Sequence, residues 1–520
     1  VLLLSAFLFP QTLQVQNPAS IEGVVVRYGT STPVTGARVI IGTTQVLTGE
    51  NGRFEFRQLQ PGRYRPSAIH LDYVPAPFSD GGRDGQNVDV TLSPGQAVKD
   101  FVIALVPMGA VSGRVRDNNG NPVANLSVQA LKYSYQDGRR ILVPVSSGAS
   151  SNLGEYRLSR LAPGPYIIRA AGSLSTTPES VTFLPVYYPG TTDAGAASPI
   201  ELPSGIEFNG VDLTIRESPA LHVRGRIVSG LTGEPPTGAS VTLLPRRGTV
   251  ATGSLQRAPV SPTGSFEFRN MAPGSYEIVA SAPDPMGGRI AASASVEIGA
   301  NDIDSVTLIL QPQLSITGRI SVENLQTGLP QPGLNGVRIE LRREPFVPEL
   351  LILIPSIAPD GTFTFGGVTP GEYRLNVNPR GVKGYVKSAR FGALDALNPP
   401  FHINGPGQFE IVLSPNTGAV NALVAGSTQK PVFDATVVLI PDPPRRQRFD
   451  LYHVAGSDAS GHVGFQDVAP GDYKVFAWGD VVADAWQDPD FVRSYEGRGK
   501  PVRIFEGGRE NVELSVIPPK

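Results

Sequence analysis

The sequence predicts an all-β chain, a tandem array of five Ig-like β-sandwiches. Three observations carry that prediction. The stretch "GENGRFEFRQLQPGRY" (Gly49 to Tyr64) recurs as "SNLGEYRLSRLAPGPY", "SPTGSFEFRNMAPGSY", "APDGTFTFGGVTPGEY" and "DASGHVGFQDVAPGDY". The anchoring glycines lie 102, 110, 97 and 100 residues apart, too far for solenoid repeats and right for sandwiches of about 100 residues. Between the blocks, short alternating apolar runs are separated by Gly/Pro/Asn turns, the pattern of half-buried strands.

Composition narrows the classes further. A chain of 520 residues outgrows one core, which stops enlarging near about 250 to 300 residues. The 44 basic and 46 acidic side chains leave a net charge of -2, so bulk charge favours no nucleic-acid partner. Glycine (58) and proline (49) make the chain turn-rich, yet 40% hydrophobic residues are too many for disorder. With no cysteine, disulfides and thiolate chemistry are excluded.

Residues 1–18, beginning "VLLLSAFLFPQ", read as the apolar core of an export signal, the alternatives being a first strand or a buried N-terminal segment; as a signal they put the protein outside the cytoplasm, extracellular, at the cell surface or in the periplasm. No later run suits a membrane span; "LLILIPSIA" (Leu350 to Ala358), broken by Pro355, is expected as a strand. The sandwiches are placed at 19–107, 108–217, 218–312, 313–415 and 416–520. Each opens on a strand, a turn and a second strand: "IEGVVV", "VSGRVRDNNGNPVANLSVQAL", "VRGRIVSGLTGEPPTGASVTLL", "ITGRISVENLQTGLPQPGLNGVRIEL" and "VNALVAGSTQKPVFDATVVLI". Closing runs such as "NGVDLTIRES", "DSVTLILQP" and "ENVELSVIP" alternate likewise.

Within the block, Gly52, Gly154, Gly264, Gly361 and Gly461 precede apolar residues at plus two and plus four, which share one strand face. At plus nine and ten stand Pro61-Gly62, Pro163-Gly164, Pro273-Gly274, Pro370-Gly371 and Pro470-Gly471, the pairing of a type II turn. Tyr64, Tyr166, Tyr276, Tyr373 and Tyr473 follow at plus twelve without insertion. Since a one-residue slip would turn every apolar group to water, the block is a register lock, and the tyrosines should point inward.

The runs "VSGRVRDNNGNPVANLSVQA" and "GEYRLSRLAPGPYIIRAAG" resemble the carboxypeptidase regulatory-like domain, a prealbumin-like sandwich grouped with carbohydrate-binding-like folds. The resemblance covers nearly the whole chain after about residue 19; "VYYPGTTDAGAASPIEL" and "FAWGDVVADAWQDPDFVRSYEGRG" resemble exported acidobacterial multi-repeat proteins. Two departures predict irregular strands: Pro66 in copy one and Ala422, where the other copies have Gly, in copy five.

Catalytic constellations do not emerge. His70, His222, His402, His453 and His462 are scattered, with no neighbouring Glu at zinc-site spacing. No nucleophile elbow, Walker loop or dinucleotide fingerprint occurs. "GGRDGQ" (81–86) reads as a turn, and "DNNGN" at Asp117 reads as a hairpin turn because it lacks the distal Glu of a calcium loop. Collagen-adhesin B-type sandwiches, a related fold, often carry Lys–Asn cross-links, but the opening strands here offer Arg or apolar residues instead. The expectation is a non-enzyme without cofactor or metal.

Two features stand out. Trp478 and Trp486 are the only tryptophans, and strand parity puts Phe476 and Trp478 opposite to Tyr473's face, where copies two to four carry residues such as Arg169, Val279, Asn376 and Asn378. Two readings follow: the segment Gly479 to Gly499 folds over these rings, or they form a sugar platform with Asp480, Asp484, Asp488 and Asp490 as hydroxyl or calcium partners. Arginine pairs Arg139-Arg140, Arg246-Arg247, Arg342-Arg343 and Arg445-Arg446 read as solvated loop charge or as an edge for acidic polymers. The functional expectation is an exported scaffold or adhesion protein with polysaccharide or cell-surface partners; the alternative is an accessory region of a hydrolase or peptidase assembly whose catalytic part is another chain.

Overall fold

The computed structural model describes residues 17–518 apart from 77–89, 173–180, 220, 246–255, 272, 285–287, 324–332, 345–351, 380–381, 398–399 and 444. Residues 1–16 of the apolar start, the 81–86 turn and the pair at 246 and 247 lie outside the described residues.

One plan repeats five times. The opening strands are Ala19–Arg27, Gly109–Arg116, Leu221–Ser229, Leu314–Val322 and Gly418–Ala425. Each pairs antiparallel with its block strand and parallel with its closing strand. Across the core, the second strand pairs antiparallel with the tyrosine strand, as Thr436–Pro441 does with Gly471–Trp478. Five core clusters draw on residues 19–105, 111–215, 221–310, 316–413 and 420–514. The chain is therefore all-β, in tandem sandwiches. In the third, Ile290 and Ala291 pair with Pro312 and Gln311, joining both layers into one seven-stranded sheet.

The block glycine sits at φ between +69° and +82° in every copy. Its carbonyl accepts from the opening strand at 2.8 Å each time, from the amides of Val25, Val115, Ile227, Ile320 and Val424. A Cβ would overlap the carbonyl oxygen of that same residue in all five, so both the left-handed conformation and the close approach require glycine. Six residues later stands a second left-handed residue: Gln58, Arg160, Asn270, Gly367 and Asp467. There the pairing register shifts by a bulge, for example between Ala19 and Ile21 opposite Leu59 and Phe56.

The proline-glycine step is not a type II turn. Its glycines have φ from +124° to +158°, beyond the roughly +80° of that turn, and each opens the tyrosine strand directly. Tyr166, Tyr373 and Tyr473 are buried, while Tyr64 and Tyr276 are half-buried against their own cores. The hydroxyls of Tyr64, Tyr166, Tyr373 and Tyr473 donate to the carbonyls of Gln60, Ala162, Thr369 and Ala469, four residues back, at 2.6 to 2.9 Å. The tyrosine, rather than a turn hydrogen bond, ties the corner. Burial pushes Tyr166 and Tyr473 up to about 12.

Pro66 splits the tyrosine strand of copy one into Gly62–Tyr64 and Ser67–Ile69, where the other copies run unbroken. The irregularity expected at Ala422 does not occur. In the other copies an aromatic ring faces a strand glycine across the pair: Phe54 on Gly23, Tyr156 on Gly113, Phe266 on Gly225 and Phe363 on Gly318. Copy five pairs Ala422 with Val463, so no ring lies on the methyl, and its closing strand pairs without the register shift that brings the Phe101 carbonyl onto Gly23 in copy one. The stretch around Ile354 is not a regular strand either: only Leu353 and Ile357 make isolated bridges, and Pro355 between them has no amide to donate.

Candidate binding cleft

The outer face of each tyrosine strand is where the copies diverge. In copy five Phe476 is 0% exposed, Trp478 1% and Trp486 7%, so these rings form no open sugar platform. They belong to a second core with Val438, Ile440, Val492 and Ile517. Residues 479–499 cover it, through 3-10 turns Ala485–Gln487 and Glu496–Arg498 and the short helix Pro489–Arg493. Trp478 stacks on Phe476 at 5.1 Å between centroids and meets Tyr495 edge-on at 5.8 Å. Both indole N–H groups are buried without a hydrogen-bond partner among the described residues. Each orphan costs about 1 to 3 kcal/mol, less than the roughly 4 to 6 kcal/mol from burying such a ring, so the packing prevails.

The four aspartates part company. Asp488 caps the helix, accepting from Asp490 and Phe491 amides at 2.8 and 3.2 Å. Asp490 is exposed and pairs with Arg493; Asp480 is exposed on the surface. Among the described residues no three His, Asp or Glu side chains are placed to hold a metal. Asp117 closes its hairpin turn, accepting from the Asn119 and Asn121 amides at 2.8 Å.

In copies four and five the arginine pairs are engaged by protein partners. Arg342 is buried and bridges to Asp137 of the second sandwich at 2.6 Å. Arg445 lies over the Tyr473 ring at 5.0 Å and donates to Pro470 and Asp472 carbonyls. Arg446 pairs with Glu496 of the cover at 2.9 Å. Lys132 over Tyr166 repeats the Arg445 arrangement, and glycine at the strand start leaves that side open.

Asp484 leads to the site that sequence reasoning missed. It borders a 740 Å³ cleft between the second, fourth and fifth sandwiches. The floor is the outer face of sandwich four, where Arg338 stands opposite Asn378 and Glu340 opposite Asn376. Asn376 and Asn378 occupy the positions that Phe476 and Trp478 hold in copy five. The hairpin tip at Gln136 and Asp137 forms one wall; Phe449, Tyr452 and His453 form another. Arg374 lies over the Phe449 ring at 5.7 Å and pairs with Glu344. Burial pushes the His453 imidazole down, while burial and the neighbouring Asp137 charge push the Asp484 carboxyl up. The signal was in the sequence only as polar residues at an outer-face position.

Residues 20–105 match the model of the carboxypeptidase regulatory-like domain, and residues 221–310 that of the BOS complex subunit NOMO1-like second beta sandwich domain. No curated protein sequence matches the chain. Among solved structures, the Bacillus anthracis TIE protein is similar at 10% identity over 80% of this chain and 75% of its own, with a TM-score of 0.17. The Streptococcal ancillary pilin aligns at 14% identity over 59% and 99%, TM-score 0.21. The B1B2 repeat units of the Staphylococcus aureus collagen binding protein align at 12% over 73% and 94%, TM-score 0.15. No helix among the described residues is long and apolar enough to cross a membrane. The two family matches, on the first and third of five like-built units, fit a tandem protein of regulatory-like β-sandwich domains.

Proposed function

We propose that the chain is an exported, non-catalytic scaffold that presents β-sandwiches at a cell surface, with unit seams near 107, 217, 312 and 415. The supporting observation is the register lock itself: in each copy the glycine and the bulge act on strand pairing, in copies one, two, four and five the tyrosine hydroxyl ties the following corner, and what repeats is architecture. The regulatory-like match at 20–105 supports a second reading, an accessory region of a hydrolase or peptidase assembly. Affinity isolation of the tagged chain from the native envelope separates the two. Recovery with wall or surface polymer supports the scaffold; a stoichiometric hydrolase replaces it with the second reading.

A further inference from the structure

We infer that the cleft between sandwiches two, four and five binds an amine-bearing oligosaccharide, a sugar chain whose hydroxyls meet the amide floor and whose ammonium groups meet Asp467 and Asp484. Its volume, 740 Å³, lies within the 300 to 1,000 Å³ typical of ligand sites, which favour domain junctions. The floor offers Asn376 and Asn378, and the walls Gln136 and Gln487. A carboxamide carries a donor and an acceptor side by side, matching vicinal hydroxyls. Tyr385, Phe449 and Tyr452 supply apolar surface for ring faces.

Charge selects among sugars. The other carboxylates at the cleft are already matched: Asp137 by Arg342, Glu340 by Arg338 and Asp450 by Arg448. Asp467 and Asp484 have no ion-pair partner among the described residues, Asp484 accepting a hydrogen bond from Gln487 Nε2 at 3.4 Å, and burial pushes down the imidazole of His453, which lines the cleft with Asp467. Asp484 also faces the like charge of Asp137, a repulsion that a bound cation would relieve. A neutral glycan would leave both carboxylates unmatched; an acidic one would be repelled. The cleft serves a scaffold and an accessory chain equally well, so the inference does not depend on which of them holds.

The test is calorimetric titration of the full chain with glucosamine hexamer, N-acetylglucosamine hexamer, cellohexaose and hexalysine. Saturable binding of glucosamine hexamer that weakens with salt, with the two neutral hexamers and hexalysine binding more weakly, is expected. Asp467→Asn with Asp484→Asn should weaken that binding about tenfold, the scale of two partly exposed charge contacts. Both residues sit at left-handed φ, +55° and +63°, which asparagine accepts, so folding is preserved. Asn376→Ala, on the floor, is a second variant expected to weaken binding. Binding of cellohexaose as tight as that of glucosamine hexamer, tighter binding of hexalysine, no binding at all, or indifference to the aspartate and Asn376 changes would each overturn the inference.

Discussion

Gly461 shows how a single hydrogen atom fixes a sandwich. At φ +77° any side chain pays the left-handed penalty, and here a Cβ would also overlap the Val424 carbonyl oxygen that lies in the same strand pair. Gly507, in the same sandwich at φ +67°, has open space around it. Gly507→Ala should therefore cost the conformational penalty alone, about 1 to 2 kcal/mol, and Gly461→Ala clearly more. Both tryptophans lie in sandwich five, so urea unfolding followed by their fluorescence reads this unit alone; equal losses would refute the clash. The same probe tests the paired substitution of copy five. Val463→Phe should destabilise by pressing a ring onto Ala422, and adding Ala422→Gly should recover stability, with a coupling of about 1 to 2 kcal/mol. Additive effects would show that the pair does not interact. These glycines and tyrosines were legible because side-chain identity itself does the work. The left-handed bulge at plus six was not, since Gln58, Arg160, Asn270, Gly367 and Asp467 share only a backbone conformation.

At the level of elements, the tyrosine strand of sandwich five is covered on both faces. Tyr473, Val475 and Ala477 pack into the sandwich core, Phe476 and Trp478 into the second core beneath 479–499. Gly499 closes that cover against the Phe476 ring, where a Cβ would not fit. Parity alone sorted these residues into two faces, and the length of the intervening segment left room for a cover. What the sequence could not rank was exposure against burial, because an aromatic pair on an outer face suits either. Trp478→Ala should remove about 3 to 5 kcal/mol, localised to the cover. Peptide-resolved hydrogen exchange should show lost protection over 485–498 while 462–468 stays protected. Uniform loss over both segments would mean the two cores unfold as one.

Repetition explains the units but not how they meet, and the residues at the junctions are those that differ from copy to copy. Asp137 and Arg342 are 205 positions apart, and among the described residues no other sandwich repeats this bridge. A comparison of repeats discards that information, which is why the cleft was invisible while the strands bordering it were not. The second sandwich's hairpin, Ser127–Gln136 with Arg139–Ala149, reaches both neighbours: Asp137 to Arg342 in the fourth, Tyr135 to Phe491 in the fifth at 5.8 Å. Sandwich one also touches the fifth, through Arg65 over Phe433 at 5.2 Å. The array is thus folded back. Removing one partner of a largely buried ion pair costs about 3 to 5 kcal/mol, concentrated on one small junction rather than on any sandwich core. Arg342→Ala should accordingly increase the radius of gyration in small-angle scattering and raise exchange at the 134–139 hairpin tip, while sandwich-five unfolding by tryptophan fluorescence stays unchanged. An unaltered radius with an altered fluorescence transition would assign Arg342 to the stability of the units and not to their arrangement.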